Sequence, residues 1–190
     1  AYPKVVPPFC TPTYSNGTGF GDFIDSVGGF GGLLANQTGA GPAPYYQLFP
    51  TAIAATAGTP YTVSVKTGSF GGQEIGLWID YNHDSIFSPA EQVGQFNSVG
   101  SATTVTFNVN IPTSAYNGTT LMRVGDHYSG DLPIMDPCED PEGYGETEDY
   151  VLNISGGTDD VSYFASVGYL TTDGVAITQG FERYNARLNL

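Results

Sequence analysis

The chain has 190 residues, 40% hydrophobic and only 13% charged, which is too apolar for a disordered polypeptide and long enough for one domain with a core plus an appendage. Its formal net charge is −14, with five Lys plus Arg, so nucleic acid and anionic membranes are poor partners, while divalent cations and neutral glycans suit the surface. The 26 Gly, 13 Pro and 13 Tyr, with no long Ala/Leu/Glu/Lys runs, favour strands and turns over helices.

Residues 1–9, AYPKVVPPF, hold three prolines and read as an extended arm. From Cys10 the text breaks into short apolar stretches separated by Gly-rich turns. FIDSV at 23–27 alternates, and a Gly/Ala/Pro-rich connection ends in YYQLF at 45–49. TPYTVSVKT at 59–67 is a strand with Tyr61, Val63 and Val65 on one face. IGLWIDY at 75–81 is a second strand. TTVTFNVNIP at 103–112 alternates most cleanly: Val105, Phe107, Val109 and Ile111 face one way, and Thr104, Thr106, Asn108 and Asn110 the other. TTLMRVGD at 119–126 and EDYVLNIS at 148–155 complete the set. No stretch keeps a 3.6-residue period. The spacing therefore predicts an all-β fold, an antiparallel, jelly-roll-like sandwich over 10–155.

Residues 156–190 change character. SYFASVGYL at 162–170 alternates, TTDG at 171–174 reads as a hairpin turn, and VAIT and ERYNARLNL follow. These predict extra C-terminal strands with an amphipathic face and open edges. No apolar run has the length of a membrane-crossing helix, and the Ala at position 1 reads as the start of a processed, secreted chain.

The two cysteines, Cys10 and Cys138, are too far apart for a zinc knuckle, and His83 and His127 complete no ligand spacing. Two readings stay open, one disulfide or two free thiols; the extracellular look of the chain favours the disulfide.

Two stretches carry candidate chemistry. DYNHDSIFSPAE at 80–91 has the spacing of a twelve-residue calcium loop, whose oxygens stand at positions 1, 3, 5, 7, 9 and 12. Counted from Asp80, these are Asp80, Asn82, Asp84, the Ile86 carbonyl, Ser88 and Glu91, with Phe87 as the apolar anchor. Position 6 wants Gly for a sharp turn, and here it is Ser85. The competing reading is a polar turn held by Asx-type hydrogen bonds, with Pro89 opening a helical turn and Glu91 in solvent. The second stretch, DPCEDPEGYGETEDY at 136–150, gathers Asp136, Glu139, Asp140, Glu142, Glu146, Glu148 and Asp149. Opposed carboxylates can serve a glycosidase. The Pro/Gly half cannot hold such geometry unaided, so the stretch is read as structural, capping loop amides or pairing with Arg123. There is no GxSxG, HExxH or P-loop pattern. Both histidines read as surface side chains and Trp78 as core.

GLWIDYNHDSIFSPAEQV, TLMRVGD and CEDPEGYGETEDYVLNI, in that order, resemble the GEVED domain over roughly residues 9–155. Trp78, Asp80, Asn82, Asp84, Phe87, Glu91, Arg123, Gly145, Glu146, Glu148, Asp149 and Tyr150 carry the likeness, with Ser85 in place of the usual Gly. The resemblance implies a secreted or surface-attached bacterial β-sandwich module without an established enzyme activity. The tail resembles strands of starch-utilisation-type (SusC-like) TonB-dependent outer-membrane transporters, through SGGTDDVSYFASVGY and RYNARLN. Thirty-odd residues cannot form a barrel.

Asn16, Asn36, Asn117 and Asn153 sit in Asn-x-Ser/Thr sequons. Both resemblances suggest a Bacteroidetes-like host, which brings in Asp-Ser-aliphatic O-glycan patterns at Ser26 and Ser85. The expected protein is a non-enzymatic extracellular or bacterial cell-surface module, structural or adhesive. It is a candidate filament subunit that self-associates through terminal strands or meets other surface proteins, with Ca2+ as its one candidate cofactor. The alternative is a carbohydrate-binding module of a bacterial surface glycan system, using Tyr45, Tyr46, Tyr81, Tyr128 and Tyr144.

Overall fold

The alternating segments pair into two stacked sheets in the computed structural model, which describes residues 8–128, 135–138, 143–157, 164–173 and 180–189. The strands are β1 (Ile24–Gly29), β2 (Leu34–Asn36), β3 (Tyr46–Thr56), β4 (Pro60–Thr67), β5 (Gln73–Ile79), β6 (Gln92–Val99), β7 (Thr104–Asn110), β8 (Gly118–Tyr128), β9 (Gly145–Ser155), β10 (Phe164–Asp173) and β11 (Gly180–Asn189). One sheet has the order β2-β1-β4-β7 and the other β3-β9-β8-β5-β6. Among the described residues, helix is confined to short 3-10 turns at Phe30–Gly32 and Pro89–Glu91.

Between the sheets lies one apolar core. Ile24, Val27, Val63, Val65, Phe107 and Val109 come from the first sheet, and Ile75, Leu77, Ile79, Met122, Val124, Tyr150, Leu152 and Ile154 from the second. β7 buries every second residue, as its alternation predicts. The all-β sandwich of the sequence reading is therefore correct in class.

Three features correct that reading. The five-stranded sheet is mixed, because β3 runs parallel to β9. That ladder breaks between Phe49 and Ile53, around Pro50, which has no N–H to donate; an edge strand tolerates this. β2 and β6 went unread. Both are edge strands, and β6 (QVGQFNSV) is too polar to show a clear period. Third, TTDG is not the turn: β10 runs through it to Asp173, which pairs with Gly180. The connection at 174–179, like most of the arm at 1–9, lies outside the described residues.

The second sheet is covered on both faces. β5 is buried at every position. On its outer side Trp78, Phe87 and Met135 form a second apolar cluster, with Phe9 and Leu121 packed against it. The cover is chain from both ends of a Cys10–Cys138 disulfide.

By backbone contacts the chain divides into two units, Ala1–Thr158 and Asp159–Leu190. The second contains an antiparallel pair, β10 and β11, in which Tyr169 faces Tyr184 with ring centroids 5.0 Å apart.

Candidate functional site

β5 ends at Ile79, and the next residues curl into the acidic loop. Asp80 and Glu91 are buried, and Asp84 joins them: one oxygen from each of the three carboxylates lies within 4.8 Å of the others. Local hydrogen bonds set this geometry. Asp80 accepts the N–H groups of Asp84 (3.3 Å) and Ser85 (3.1 Å). Asp84 accepts the Ile86 N–H at 2.8 Å and the Asn82 amide at 2.9 Å. Glu91 turns inward, correcting the reading that leaves it in solvent. It accepts the Tyr81 N–H at 3.0 Å and the Ser88 N–H and hydroxyl at 2.9 and 2.8 Å. Ser88 and Glu91 thus form a capping box on the 3-10 turn. Burial raises the Asp80 pKa, and the Glu91 and Asp84 charges push the same way, while the Ser85 and Asp84 N–H groups oppose.

Ser85 takes the left-handed conformation that position 6 demands, with φ of +64°. A Cβ in that region costs about 1 kcal/mol. Ser85→Gly keeps the N–H to Asp80 and removes the cost, so it is expected to raise the melting temperature by roughly 2–4 °C. A lower melting temperature would mean the Ser side chain contributes something its backbone geometry hides.

The outer face is organised by Arg123. The register sets Trp78, Arg123 and Asp149 side by side across β5, β8 and β9. Arg123 and Asp149 are both completely buried. All five guanidinium N–H groups have partners. Nε and Nη2 fork onto Asp149 at 2.8 and 2.7 Å, Nη1 reaches the Pro137 carbonyl (2.8 Å) and Cys10 Sγ (3.1 Å), and Nη2 reaches the Cys10 carbonyl at 2.8 Å. The cation also lies 4.7 Å from the Phe87 ring centroid, which links it to the acidic loop. Tyr46 donates to Asp149 at 2.8 Å, and burial first, then the Asp149 charge, push its pKa up to about 12.

On the inner face, alternation along β9 turns Glu146 and Glu148 toward the interior, on the side of Tyr150 and Leu152, while Asp149 points out. Glu146 is a clasp between sheets: its carboxyl accepts the Ile24 N–H at 2.7 Å and the Gly41 N–H at 2.8 Å. Tyr150 donates to Glu148 at 2.5 Å and accepts from the Asn36 amide at 3.1 Å. Gly145 opens the signature at φ +127°, where a Cβ would collide with the Asp126 carbonyl, so no other residue fits. Burial, reinforced by Glu148, raises Glu146 to about 8 against the pull of its two N–H donors.

His127 corrects another expectation. It is 4% exposed, not a surface side chain, and lies under Tyr14, whose hydroxyl is 3.1 Å from Nε2 and 2.6 Å from the Thr147 hydroxyl. Burial lowers its pKa to about 4, with Asp136 opposing.

These shifts set a pH dependence. Glu146, raised from an ordinary 4.5, contributes stability that is full below pH 4.5 and lost as pH rises through about 8. His127, lowered from 6.5, contributes stability that is full above pH 6.5 and lost as pH falls through about 4. The two oppose each other in mild acid, and above pH 6.5 the Glu146 trend acts without opposition from His127. The melting temperature is therefore expected to fall between pH 6.5 and 8. Glu146→Gln should melt lower throughout and show a flatter slope in that window. A wild-type profile that stays level or climbs from 6.5 to 8 contradicts the assignment.

Of the sequence-predicted site residues, Asp80, Asp84 and Glu91 come together, Asn82 bonds to Asp84, Ser88 caps the turn and Ile86 is exposed. Glu139, Asp140 and Glu142 lie outside the described residues. Trp78 is 1% exposed and belongs to the outer cluster. Among the sequons, Asn16 and Asn153 are exposed. The Asn36 amide bonds to Tyr150, and Asn117 bonds to Gly157 through both amide atoms, at 2.8 Å and 3.4 Å. Ser26 and Ser85 are half-buried. The Tyr14–His127–Thr147 group escaped sequence reasoning, since no local pattern connects residues so far apart.

Fold and site define a disulfide-pinned β-sandwich module whose acidic signature is built into its central sheet. Residues 74–153 match the GEVED domain, from β5 through most of β9, a narrower span than the 9–155 stretch that resembles it. Comparison with curated proteins gives no match. Among solved structures, the sulfur carrier protein SoxY from Chlorobium limicola f thiosulfatophilum aligns at 16% identity and a TM-score of 0.35, over 57% of this chain and 84% of that one. An overlap this loose carries no functional reading.

Proposed function

We propose that this is a non-enzymatic module of the extracellular space or bacterial cell surface, structural or adhesive in role, whose 80–91 loop takes up a calcium ion. The observation behind it is the convergence of Asp80, Asp84 and Glu91 within 4.8 Å on a loop clamped between β5 and β6. The donor set suits a hard cation: all the ligand atoms are oxygens, and each carboxylate keeps lone pairs beyond its backbone bonds. Asp80, Asp84 and Glu91 would hold the ion, which would supply charge balance and rigidity. The acids of the GEVED signature favour architecture over turnover, because Glu146 and Asp149 are engaged by backbone amides and Arg123. The disulfide fits an oxidising compartment. Assembly would proceed through terminal strands, the SusC-like tail pairing by its open edges with a neighbouring subunit. A carbohydrate-binding module is the second reading. Here Tyr46 is engaged by Asp149 and Tyr81 packs against the core, so its aromatic supply shrinks to the other tyrosines.

One experiment tests both halves: melting and negative-stain electron microscopy in calcium and in chelator. At roughly ten times a millimolar-range Kd, calcium is expected to add about 1.4 kcal/mol, or about 3–6 °C. Asp84→Asn should remove that gain, and deletion of 156–190 should abolish ordered polymers. Identical melting in calcium and chelator removes the ion from this account; unchanged polymers without the tail remove terminal-strand assembly.

A further inference from the structure

A cavity of about 310 Å3, lined by Phe20, Asp22, Phe70, Tyr128 and Tyr144, shares no residue with the acidic loop or the Arg123 cluster. Its volume is at the lower end of small-molecule sites. The rings contact one another at steep angles: Phe20 meets Tyr144 at 5.6 Å and 69°, Phe70 meets Tyr128 at 5.9 Å and 60°, and Tyr128 meets Tyr144 at 6.3 Å and 77°. A sugar ring stacks on an open, flat aromatic face. Rings inclined like this offer no single flat platform and instead line a compact pocket beside Asp22. Phe20, Phe70 and Tyr128 keep 69%, 39% and 36% of their surface exposed, so the core does not use them fully.

The polar side chain of this lining whose charge is buried is Asp22. It is 2% exposed, and its Oδ1 has no hydrogen-bond partner among the described residues. The adjoining backbone is fixed, since the Gly21 carbonyl accepts from the Phe70 N–H at 3.1 Å and from the Gln73 amide at 3.4 Å. A buried carboxylate oxygen without a partner is costly, and a cation held against this carboxylate would relieve it. Among the described residues no basic side chain lines the cavity. The ion pairs among the described residues are Lys66–Asp25 and Arg123–Asp149, and neither lines the cavity.

We propose that this cavity binds an organic cation, a primary or methylated alkylammonium group, with Asp22 as its counter-ion and the four rings as its aromatic lining. Inclined rings around a carboxylate are the chemistry that holds ammonium groups, and the net charge of −14 draws cations to the surface. The group arrives either on a free small molecule or on a lysine side chain of a protein.

The test titrates the 190-residue chain with choline, butylammonium, a peptide bearing lysine or trimethyllysine, and the neutral carbon isostere of choline, read by tyrosine fluorescence and aromatic chemical shifts. The cations are expected to bind at least roughly tenfold more tightly than the neutral isostere. Asp22→Asn should lose about that factor, and Phe20→Ala several-fold. A peptide that outcompetes choline assigns the group to a protein partner, and the reverse assigns it to a small molecule; both support the site. Equal binding of cation and isostere, no saturation by any cation, or a pyranose that displaces choline and ignores Asp22→Asn overturns it. If Asp22→Asn does not fold, Phe20→Ala decides: this exposed ring can be truncated with the melting temperature intact, and unchanged cation affinity in it overturns the proposal.

Discussion

Replacing Arg123 with Met is expected to destabilise the sandwich by about 3–5 kcal/mol, against a total of roughly 5–15 kcal/mol for a domain. The loss does not come from a missing surface charge. Arg123 and Asp149 are both fully buried, and the Arg sends its five donors to one carboxylate, two carbonyls and a sulfur. Met fills much of the volume and supplies none of those bonds. Among the described residues Asp149 keeps the Tyr46 hydroxyl alone, and the Cys10 and Pro137 carbonyls lose their Arg123 donor beneath the covering chain. At this size each kcal/mol is roughly 2–4 °C, so the melting temperature should drop by about 10 °C. Arg123→Lys should fall between, because an ammonium cannot fork onto a carboxylate. The discriminating variant is Arg123→Met with Asp149→Leu. Removing both charges is expected to recover most of the loss, since the cost lies in the carboxylate stranded by the single change. A double variant as unstable as the single one would show that Arg123 acts through packing on Phe87 and Trp78 instead.

What could be read from sequence divides along physical lines. β7 was legible because one of its faces meets core and the other solvent, so burial prints itself as alternation. β5 and the first half of β9 are buried on both faces, and there alternation separates two interiors instead of inside from outside. Glu146 and Asp149 look alike in the text. Only the fold shows that the first joins the sheets from within and the second pairs with Arg123 beneath the covering chain. The parallel pairing of β3 with β9 left no trace, because a strand's period is the same in either direction. Hydrogen bonds made within the 80–91 loop follow from its spacing, since Asp and Asn side chains reach N–H groups two to five residues on. The burial of His127 does not, because the side chain above it is Tyr14.

That cover leads to the other large effect. Removing the disulfide in a Cys10→Ala, Cys138→Ala variant is expected to cost about 2–5 kcal/mol, near the upper end because the bridge closes a loop of 128 residues in the unfolded chain. The bridge also anchors the layer over the outer face. Cys10 supplies a carbonyl and a sulfur to Arg123, and Pro137, beside Cys138, supplies a second carbonyl. Without the tether, this layer should lift before the sandwich itself opens, admitting water to Arg123 and Asp149. Chain entropy alone would make the bridge and the ion pair independent, with their costs adding. A shared covering layer makes them couple, so Arg123→Met should cost less in the bridge-less background, by about 1–3 kcal/mol. Denaturant melts of the wild type, the two variants and their combination measure this directly. Strict additivity would mean that the disulfide acts only on the unfolded chain and that the layer above Arg123 stays seated without it.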